Sequence, residues 1–228
     1  MRWRSRVPYT ASQYLPIATS TDNEDWTLIT RRHVFFAAAA VAATPLLIRS
    51  AWAQEALPDM VMGDPEAPVE IIEYSSMTCP HCAVFHTETL PTIKERYIDT
   101  GKAKLVFREF PLDRVALNAS AVARCAGPDS YFSFVDVLFR TQVQWSHAED
   151  PTAELKKIVH MGGLDPAMVD ACLEDQSIID GILAVRLNGD QTYEIRSTPT
   201  FIINGDSYSG EMTVEQFEEV LTPYLDED

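Results

Sequence analysis

The chain has 228 residues, 46% of them hydrophobic, and a formal net charge of −16 at pH 7. This length suits one domain or two small ones, and the hydrophobic fraction excludes a chain that is disordered throughout. The negative charge argues against nucleic acid or anionic lipid as a partner, because both would be repelled.

The N-terminal residues 1–53 have the features of an export leader. Two arginines at 31–32 precede an uncharged, alanine-rich run at 34–48, and residues 51–53 place alanine at both positions that a signal peptidase reads. The run has about 15 residues, whereas a bilayer span needs roughly 20, and Pro45 interrupts it. We therefore expect a cleaved leader rather than a retained anchor. The arginine pair resembles a twin-arginine export signal, although the ordinary secretory route stays open.

Residues 67–111 predict a strand, a helix and a second strand, after a lead-in at 54–66. The β-branched run 69–74 indicates the first strand. A helix is expected from Cys79 onward, and the run 104–110 indicates the second strand. Strand–helix–strand connections are right-handed crossovers, so the two strands should pair in parallel.

The middle of the chain, residues 112–190, lacks strand patterns and is predicted to be an inserted helical subdomain. Residues 191–228 return to β structure, with a hairpin at 200–208 that turns at Asn204-Gly205 and a closing helix at 213–221. The predicted fold class is α/β: a mixed four-stranded sheet flanked by helices, with a helical insert. The helices expected within the insert are 118–126, 131–142, 152–161 and 166–175.

The segment Cys79-Pro80-His81-Cys82 carries the chemistry, because it stands between a predicted strand and a predicted helix. A helix N-terminus presents unpaired N–H groups and about half a positive charge. With Cys79 at the cap, these groups face its sulfur and stabilise the reactive thiolate. Protonated His81 adds a second favourable charge, and Pro80 falls at the first helical position, where no N–H is needed.

This placement gives the two cysteines different roles. A site that stabilises its thiolate makes its own disulfide a stronger oxidant, so the disulfide tends to be given away. A substrate thiolate would attack Cys79, and Cys82, one turn further into the helix, would resolve mixed disulfides. The redox-active disulfide is then the only redox group required, and no cofactor or metal is expected.

Three alternative interpretations compete with this one. The first is a zinc site with His81 or His86 as further ligands, although the other two cysteines lack the spacing of a second ligand pair. The second is covalent haem attachment, which is excluded because Ala83 stands where a histidine is needed. The third is a plain structural disulfide.

Two features outside the motif favour redox chemistry. Glu73 lies in an otherwise apolar strand ahead of Cys79. A buried carboxyl there could relay a proton to or from Cys82, whereas a solvent-facing carboxylate would have no such role, and the spacing favours neither. Thr198-Pro199 opens the predicted hairpin, where the proline bond is either cis or an ordinary trans bond at a strand start.

Over about 66–222, the sequence resembles the DsbA-like thiol:disulfide oxidoreductases, an exported bacterial family of the thioredoxin superfamily. The resemblance rests on the active-site signature at 79–82, the cis-proline segment Thr-Pro-Thr-Phe at 198–201, Glu73, and the helical insert at 112–190. It implies a thioredoxin fold with that insert. It also implies that Pro199 is cis and stacks against the Cys79–Cys82 pair, while the backbone at Thr198 pairs with a bound substrate strand.

The resemblance also implies an activity and partners. The Cys79–Cys82 disulfide would pass to thiols of reduced, unfolded or partly folded exported proteins in the periplasm. A membrane DsbB-like, quinone-linked protein would then reoxidise the enzyme. No nucleic acid is expected among the partners.

Two departures from the best-known members matter. Thr198 stands where those members have valine, which puts redox strength and partner choice in doubt. Cys125 and Cys172 are absent from those members, although some branches resemble this chain in carrying a second pair within the insert. We expect a structural disulfide between them rather than a regulatory one, and a catalytic role for neither.

Other functions stay open. One is a reductase or isomerase with the same fold. Such isomerases carry a separate dimerisation region, for which about 15 residues before the first strand leave no room, so we expect a monomer. The other is a metal-binding or chaperone module that uses Cys79, His81 and Cys82.

Overall fold

The computed structural model describes residues 57–225, so the expected leader at 1–53 lies outside the described residues. The described chain forms a five-stranded sheet with strand order β1-β3-β2-β4-β5. The central pair β2 and β3 is parallel, and every other neighbouring pair is antiparallel. The strands are β1 (Met60–Met62), β2 (Val69–Ser75), β3 (Ala103–Glu109), β4 (Thr200–Ile203) and β5 (Asp206–Ser209).

The predicted α/β class with a mixed sheet is confirmed, but the sheet has one strand more than expected. The extra strand β1 lies within the predicted lead-in and pairs with β3, with Met60 opposite Phe107. It has only three residues and none is fully buried, so it left no clear alternation in the sequence. The predicted hairpin is confirmed, and Asn204 and Gly205 have φ values of 46° and 103°.

A long helical segment follows β2 and carries the cysteine motif at its start. It consists of α1 (Pro80–Val84), a π-helical turn at Phe85–Thr89, α2 (Leu90–Ile93), and a second π-helical turn at Lys94–Ile98. Pro91 lies between the two wide turns and lacks the N–H that a regular helix would use there. The segment therefore departs from regular α-helical geometry on both sides of the proline.

Six helices make up the block between β3 and β4. The last of them continues past the boundary predicted at residue 190. Across the described residues, no helix is both long enough and apolar enough to span a bilayer. The block consists of α3 (Arg114–Cys125), α4 (Pro128–Arg140), α5 (Gln142–Ser146), α6 (Pro151–Met161), α7 (Ala167–Glu174) and α8 (Gln176–Tyr193), and α9 (Val214–Leu225) closes the described chain.

The two faces of the sheet are packed against different helices. On one face, Phe85 from the helical segment after β2 and Phe217 from α9 enclose Phe201 of β4. On the other face, Tyr74 packs on α8 at Gly189, where a Cβ atom would lie 2.5 Å from the tyrosine ring. Because side chains alternate along β2, Glu73 faces the same side as Phe85, under the helix that carries the cysteines.

Candidate active site

The end of β2 and the start of α1 place the two motif cysteines together. Cys79 is the N-cap residue of α1, with an extended backbone, and Pro80 takes the first helical position. The Cys79 sulfur accepts a hydrogen bond from the backbone N–H of Cys82 at 3.4 Å. Both cysteines are free thiols in this structure. The two residues lie one helical turn apart, with the backbone N–H of the second directed at the sulfur of the first.

The surroundings shift the pKa values of the two thiols in opposite directions. The pKa of Cys79 falls from its ordinary value of 9.0 to about 5, chiefly because the Cys82 thiol donates a hydrogen bond to it. Burial opposes this shift, and the backbone N–H groups of Cys82 and His81 at the helix start add to it. Burial raises the pKa of Cys82 well above the ordinary value, and the nearby charges of Cys79 and Glu73 raise it further.

The two cysteines also differ in their exposure to solvent. Cys82 is 0% exposed, whereas Cys79 keeps 5% of its surface in contact with solvent. A molecule at the surface can therefore contact Cys79 and not Cys82. At neutral pH this environment favours the thiolate form of Cys79 and the protonated form of Cys82.

His81 points outward from the motif rather than over the cysteines. Its Nδ1 lies 2.6 Å from Oε2 of Glu211, which follows β5 and Gly210. The hydrogen bond to Glu211 is the main cause of a raised pKa at His81, and the charge of Cys79 contributes. His81 thus favours its cationic form beside Cys79, although Glu211 neutralises part of that charge. Nothing in the local sequence around the motif pointed to Glu211.

The segment before β4 completes the cysteine side of the site. The Thr198–Pro199 peptide bond is cis, and the Cys79 thiol donates a hydrogen bond to the carbonyl oxygen of Thr198 at 3.2 Å. Thr198 is buried, and its hydroxyl has no hydrogen-bond partner among residues 57–225. Cys79 and Thr198 are therefore in contact through the Cys79 sulfur, although they are 119 positions apart in the sequence.

Glu73 lies beneath the motif and is fully buried, so a solvent-facing carboxylate is the wrong alternative. Both of its carboxyl oxygens lie 3.0 Å from Nε2 of His86. His86 is itself buried and stacks on Phe139 of α4 at a ring distance of 4.3 Å. The sequence suggested His86 only as a possible zinc ligand and did not predict its pairing with Glu73.

Gln142 is a site residue that the sequence did not reveal. It belongs to α5 of the helical block, is buried, and donates from Nε2 to the carbonyl oxygens of Met77 and Cys79, each at 2.9 Å. The loop before the motif is therefore held by the helical block as well as by the sheet. A glutamine after a helix carries no local signal of such a role.

The other two cysteines are joined to each other. The sulfurs of Cys125, at the end of α3, and Cys172, in α7, form a disulfide across 47 sequence positions. Neither residue contacts the motif through a hydrogen bond described for residues 57–225. Within that same range, no group of three or more His, Cys, Asp or Glu side chains is arranged to hold a metal ion.

Comparison with known proteins identifies relatives of this arrangement. A family model described as thioredoxin matches residues 55–222. The crystal structure of alpha-DsbA1 from Wolbachia pipientis superposes with a TM-score of 0.69 and 33% identity, covering 74% of this chain and 92% of that one. The structure of BdbD from Bacillus subtilis superposes with a TM-score of 0.65 at 22% identity, covering 73% and 92% of the two chains, and shows a shared fold.

Curated relatives agree with the structural match. A Rickettsia bellii protein, provisionally named a protein-disulfide oxidoreductase, is 36% identical over 148 residues, or 64% of this chain and 57% of its own. Disulfide bond formation protein D of Bacillus subtilis is 27% identical over 158 residues, covering 63% and 67% of the two chains. The chain thus spans little more than half the length of the Rickettsia relative.

Proposed function

This chain belongs to the DsbA-like family of the thioredoxin superfamily, and we propose that it is a thiol:disulfide oxidoreductase that donates the Cys79–Cys82 disulfide to thiols of exported proteins. The observation that carries this proposal is the position of Cys79 at the N-cap of α1, with Cys82 buried one helical turn further in. This arrangement shifts the pKa values of the two thiols in opposite directions. The redox group is the cysteine pair itself.

The direction of transfer follows from the stabilised thiolate. Reduction of the disulfide releases Cys79 as a thiolate at the N-cap of α1, where the Cys82 hydrogen bond and helix N–H groups hold it. Stabilisation of the reduced form raises the reduction potential of the pair. The protein then gains electrons from substrate thiols more readily than it supplies them, which is the behaviour of a disulfide donor.

Each oxidation proceeds by two thiolate attacks. A substrate thiolate attacks Cys79 and forms a mixed disulfide, while Cys82 leaves as a thiolate and takes up one proton. A second substrate thiolate then attacks the substrate sulfur of the mixed disulfide, and Cys79 leaves as a thiolate. The substrate gains a disulfide and loses two electrons, and the enzyme ends with a Cys79 thiolate and a Cys82 thiol.

The surface around the motif suits an extended, unfolded substrate. Leu112 and Val143 are 53% and 75% exposed, and they flank the loop before Cys79, because Leu112 N–H binds Ser76 and Gln142 binds Met77 and Cys79. Exposed apolar side chains can pack against substrate segments of many different sequences, because such contacts do not depend on a particular substrate charge. By family resemblance, the substrate backbone pairs at Thr198, the site of action is the periplasm, and a membrane quinone-linked partner restores the disulfide.

The main rival is a reductase or isomerase that uses the same cysteines. The equilibrium of the Cys79–Cys82 pair against a glutathione series separates the two directions. A midpoint well above that of cytosolic thioredoxin supports a disulfide donor, and a midpoint as low as thioredoxin's overturns the donor proposal in favour of a reductase. The oligomeric state of the protein, by sedimentation, adds a second test, because a stable dimer would favour an isomerase.

A further inference from the structure

The two ring nitrogens of His86 lie in different surroundings. Nε2 contacts both oxygens of Glu73 at 3.0 Å, whereas Nδ1 has no hydrogen-bond partner among residues 57–225. The imidazole also forms part of the wall of a cavity of about 470 Å³ between β1, the helical segment after β2, and α4. One side of the ring therefore faces the buried carboxyl, and the ring also borders a space large enough for several water molecules.

The cysteine chemistry requires a path by which protons reach and leave the buried Cys82 thiol. Cys82 must gain one proton when the disulfide is reduced and lose one when the disulfide forms again. It is 0% exposed, so its sulfur has no direct contact with solvent. Glu73 is close enough to raise the pKa of Cys82, but Glu73 is fully buried as well. If Glu73 exchanges a proton with Cys82, it must in turn exchange that proton with another group or with water.

We propose that His86 is a positioning residue that exchanges the proton of Glu73 with water in this cavity, on the side of the site away from the substrate. The inference rests on the proposed disulfide chemistry and adds a proton route to it. An imidazole accepts a proton at one nitrogen and releases another from the second nitrogen. One proton enters at Nδ1 as another leaves Nε2 for Glu73, and the reverse occurs when Cys82 is deprotonated.

The packing around His86 holds the ring in the orientation that this exchange needs. Phe139 stacks on it, and Phe85 and Phe107 pack against it edge to face at 5.5 and 5.7 Å. The charged groups along the cavity are already paired: Lys94 with Asp99, and Arg140 with Asp136. On the Glu73 side, the other titratable groups are Cys82 and Tyr131, whose own pKa values Glu73 raises.

The test follows the step in which Cys82 resolves a mixed disulfide between Cys79 and glutathione. In that step Cys82 loses a proton, its thiolate bonds to the Cys79 sulfur, and glutathione leaves as a thiolate. His86→Gln keeps an amide that can bind Glu73 but cannot pass a proton. We expect the first-order resolution rate to fall roughly hundredfold, the low end of what a positioned acid or base contributes. The exposed His147 provides a matched control, and His147→Gln should leave the rate unchanged.

Three readouts separate a proton route from a structural role. Added imidazole should restore the rate of His86→Ala, because the free ring fits the enlarged cavity, and the slowed rate should become dependent on buffer concentration. The equilibrium midpoint against glutathione should stay near that of the wild type, because a relay changes forward and reverse rates equally. The inference is overturned by a wild-type rate in His86→Gln, by a slow rate in His86→Ala that imidazole does not restore, or by a shifted midpoint.

These outcomes are independent of the donor proposal. A low midpoint in the wild-type protein would overturn the donor direction and leave the proton route intact, because a reductase must also deprotonate Cys82. Val137→Trp gives a further check, since Val137 lines the cavity and is 38% exposed. Filling the cavity should slow the resolving step without a change in the midpoint, and an unaltered rate would count against water in the cavity as the proton source.

Discussion

Gln142 donates a hydrogen bond of 2.9 Å to the carbonyl oxygen of Cys79, although the two residues are 63 positions apart in the chain. The same nitrogen binds the carbonyl oxygen of Met77. The helical block is therefore attached to the loop that sets the position of the N-cap sulfur. Its contribution to the site is geometric: it fixes the backbone from which the reactive thiol projects.

Gln142→Leu is expected to weaken both the fold and the reaction. The substitution removes two hydrogen bonds at a buried site, which should lower the free energy of unfolding by about 1–3 kcal/mol. The loop before Cys79 should also become less ordered, and the rate of thiol exchange should fall. Urea unfolding and exchange with a reduced peptide measure the two effects. Gln144→Leu, at an exposed neighbouring position, is the control and should change neither.

The Cys79 thiolate should be visible in a pH titration of the reduced protein. Its ultraviolet absorbance should appear with a midpoint near the pKa of about 5, and Cys79→Ser should abolish it. Because the Cys82 hydrogen bond is the largest cause of the lowering, Cys82→Ala should move the midpoint upward. A midpoint close to 9.0 in the wild type would contradict the arrangement at the helix N-cap.

The ionisation of Cys79 also determines how the free energy of unfolding of the reduced protein depends on pH. The pKa of Cys79 is about 5 in the folded protein and ordinarily 9.0, so the folded state binds fewer protons between these values. The free energy of unfolding of the reduced form should therefore rise as pH increases from about 5 to 9 and lose this contribution as pH falls toward 5. The raised pKa of Cys82 acts only above 9.0. The oxidised form has neither thiol, so the difference between the two forms, measured by urea unfolding, isolates the effect.

The features that the sequence predicted are those that depend on neighbouring residues. The motif at 79–82, the β-branched run of β2 and the Asn204-Gly205 turn each carry their signal within a few positions. The closing helix predicted at 213–221 is equally local, and the structure shows reciprocal hydrogen bonds between Thr213 and Gln216 at its start. Local chemistry therefore sufficed for the parallel pair β2 and β3, the hairpin and the cysteine pair, but not for β1.

The features that the sequence did not predict depend on distant contacts between polar side chains. Glu109, Arg124 and Tyr131 form a buried cluster in which arginine and tyrosine both donate to the carboxylate, yet each reads as an ordinary surface or core residue. The pairing of Glu73 with His86 is similar: the strand position was suggestive, but burial was decided by α4 packing over the imidazole. Such partners are set by the tertiary fold, and no periodicity marks them.

His81 should titrate differently when its partner is removed. Glu211→Gln takes away the carboxylate whose hydrogen bond is the main cause of the raised pKa of His81. The imidazole should then lose its proton at a lower pH, which NMR of the ring protons follows directly. Glu219→Gln, at an exposed site on α9, is the matched control. An unchanged His81 titration in Glu211→Gln would mean that the pair does not form in solution.

The Cys125–Cys172 bond should contribute mainly to stability. It closes a loop across 47 positions, and in the chain-entropy model such a closure destabilises the unfolded chain by roughly 4 kcal/mol. The Cys125→Ala/Cys172→Ala double variant should therefore unfold at lower urea concentration, provided that the Cys79–Cys82 pair is kept oxidised in both proteins. The single variant Cys172→Ala is a necessary comparison, because it lacks the same cross-link as the double variant but keeps a free thiol at Cys125. Equal midpoints of urea unfolding for the wild type and the double variant would show that the bond does not stabilise the fold, and a regulatory role for this pair would then become the better interpretation.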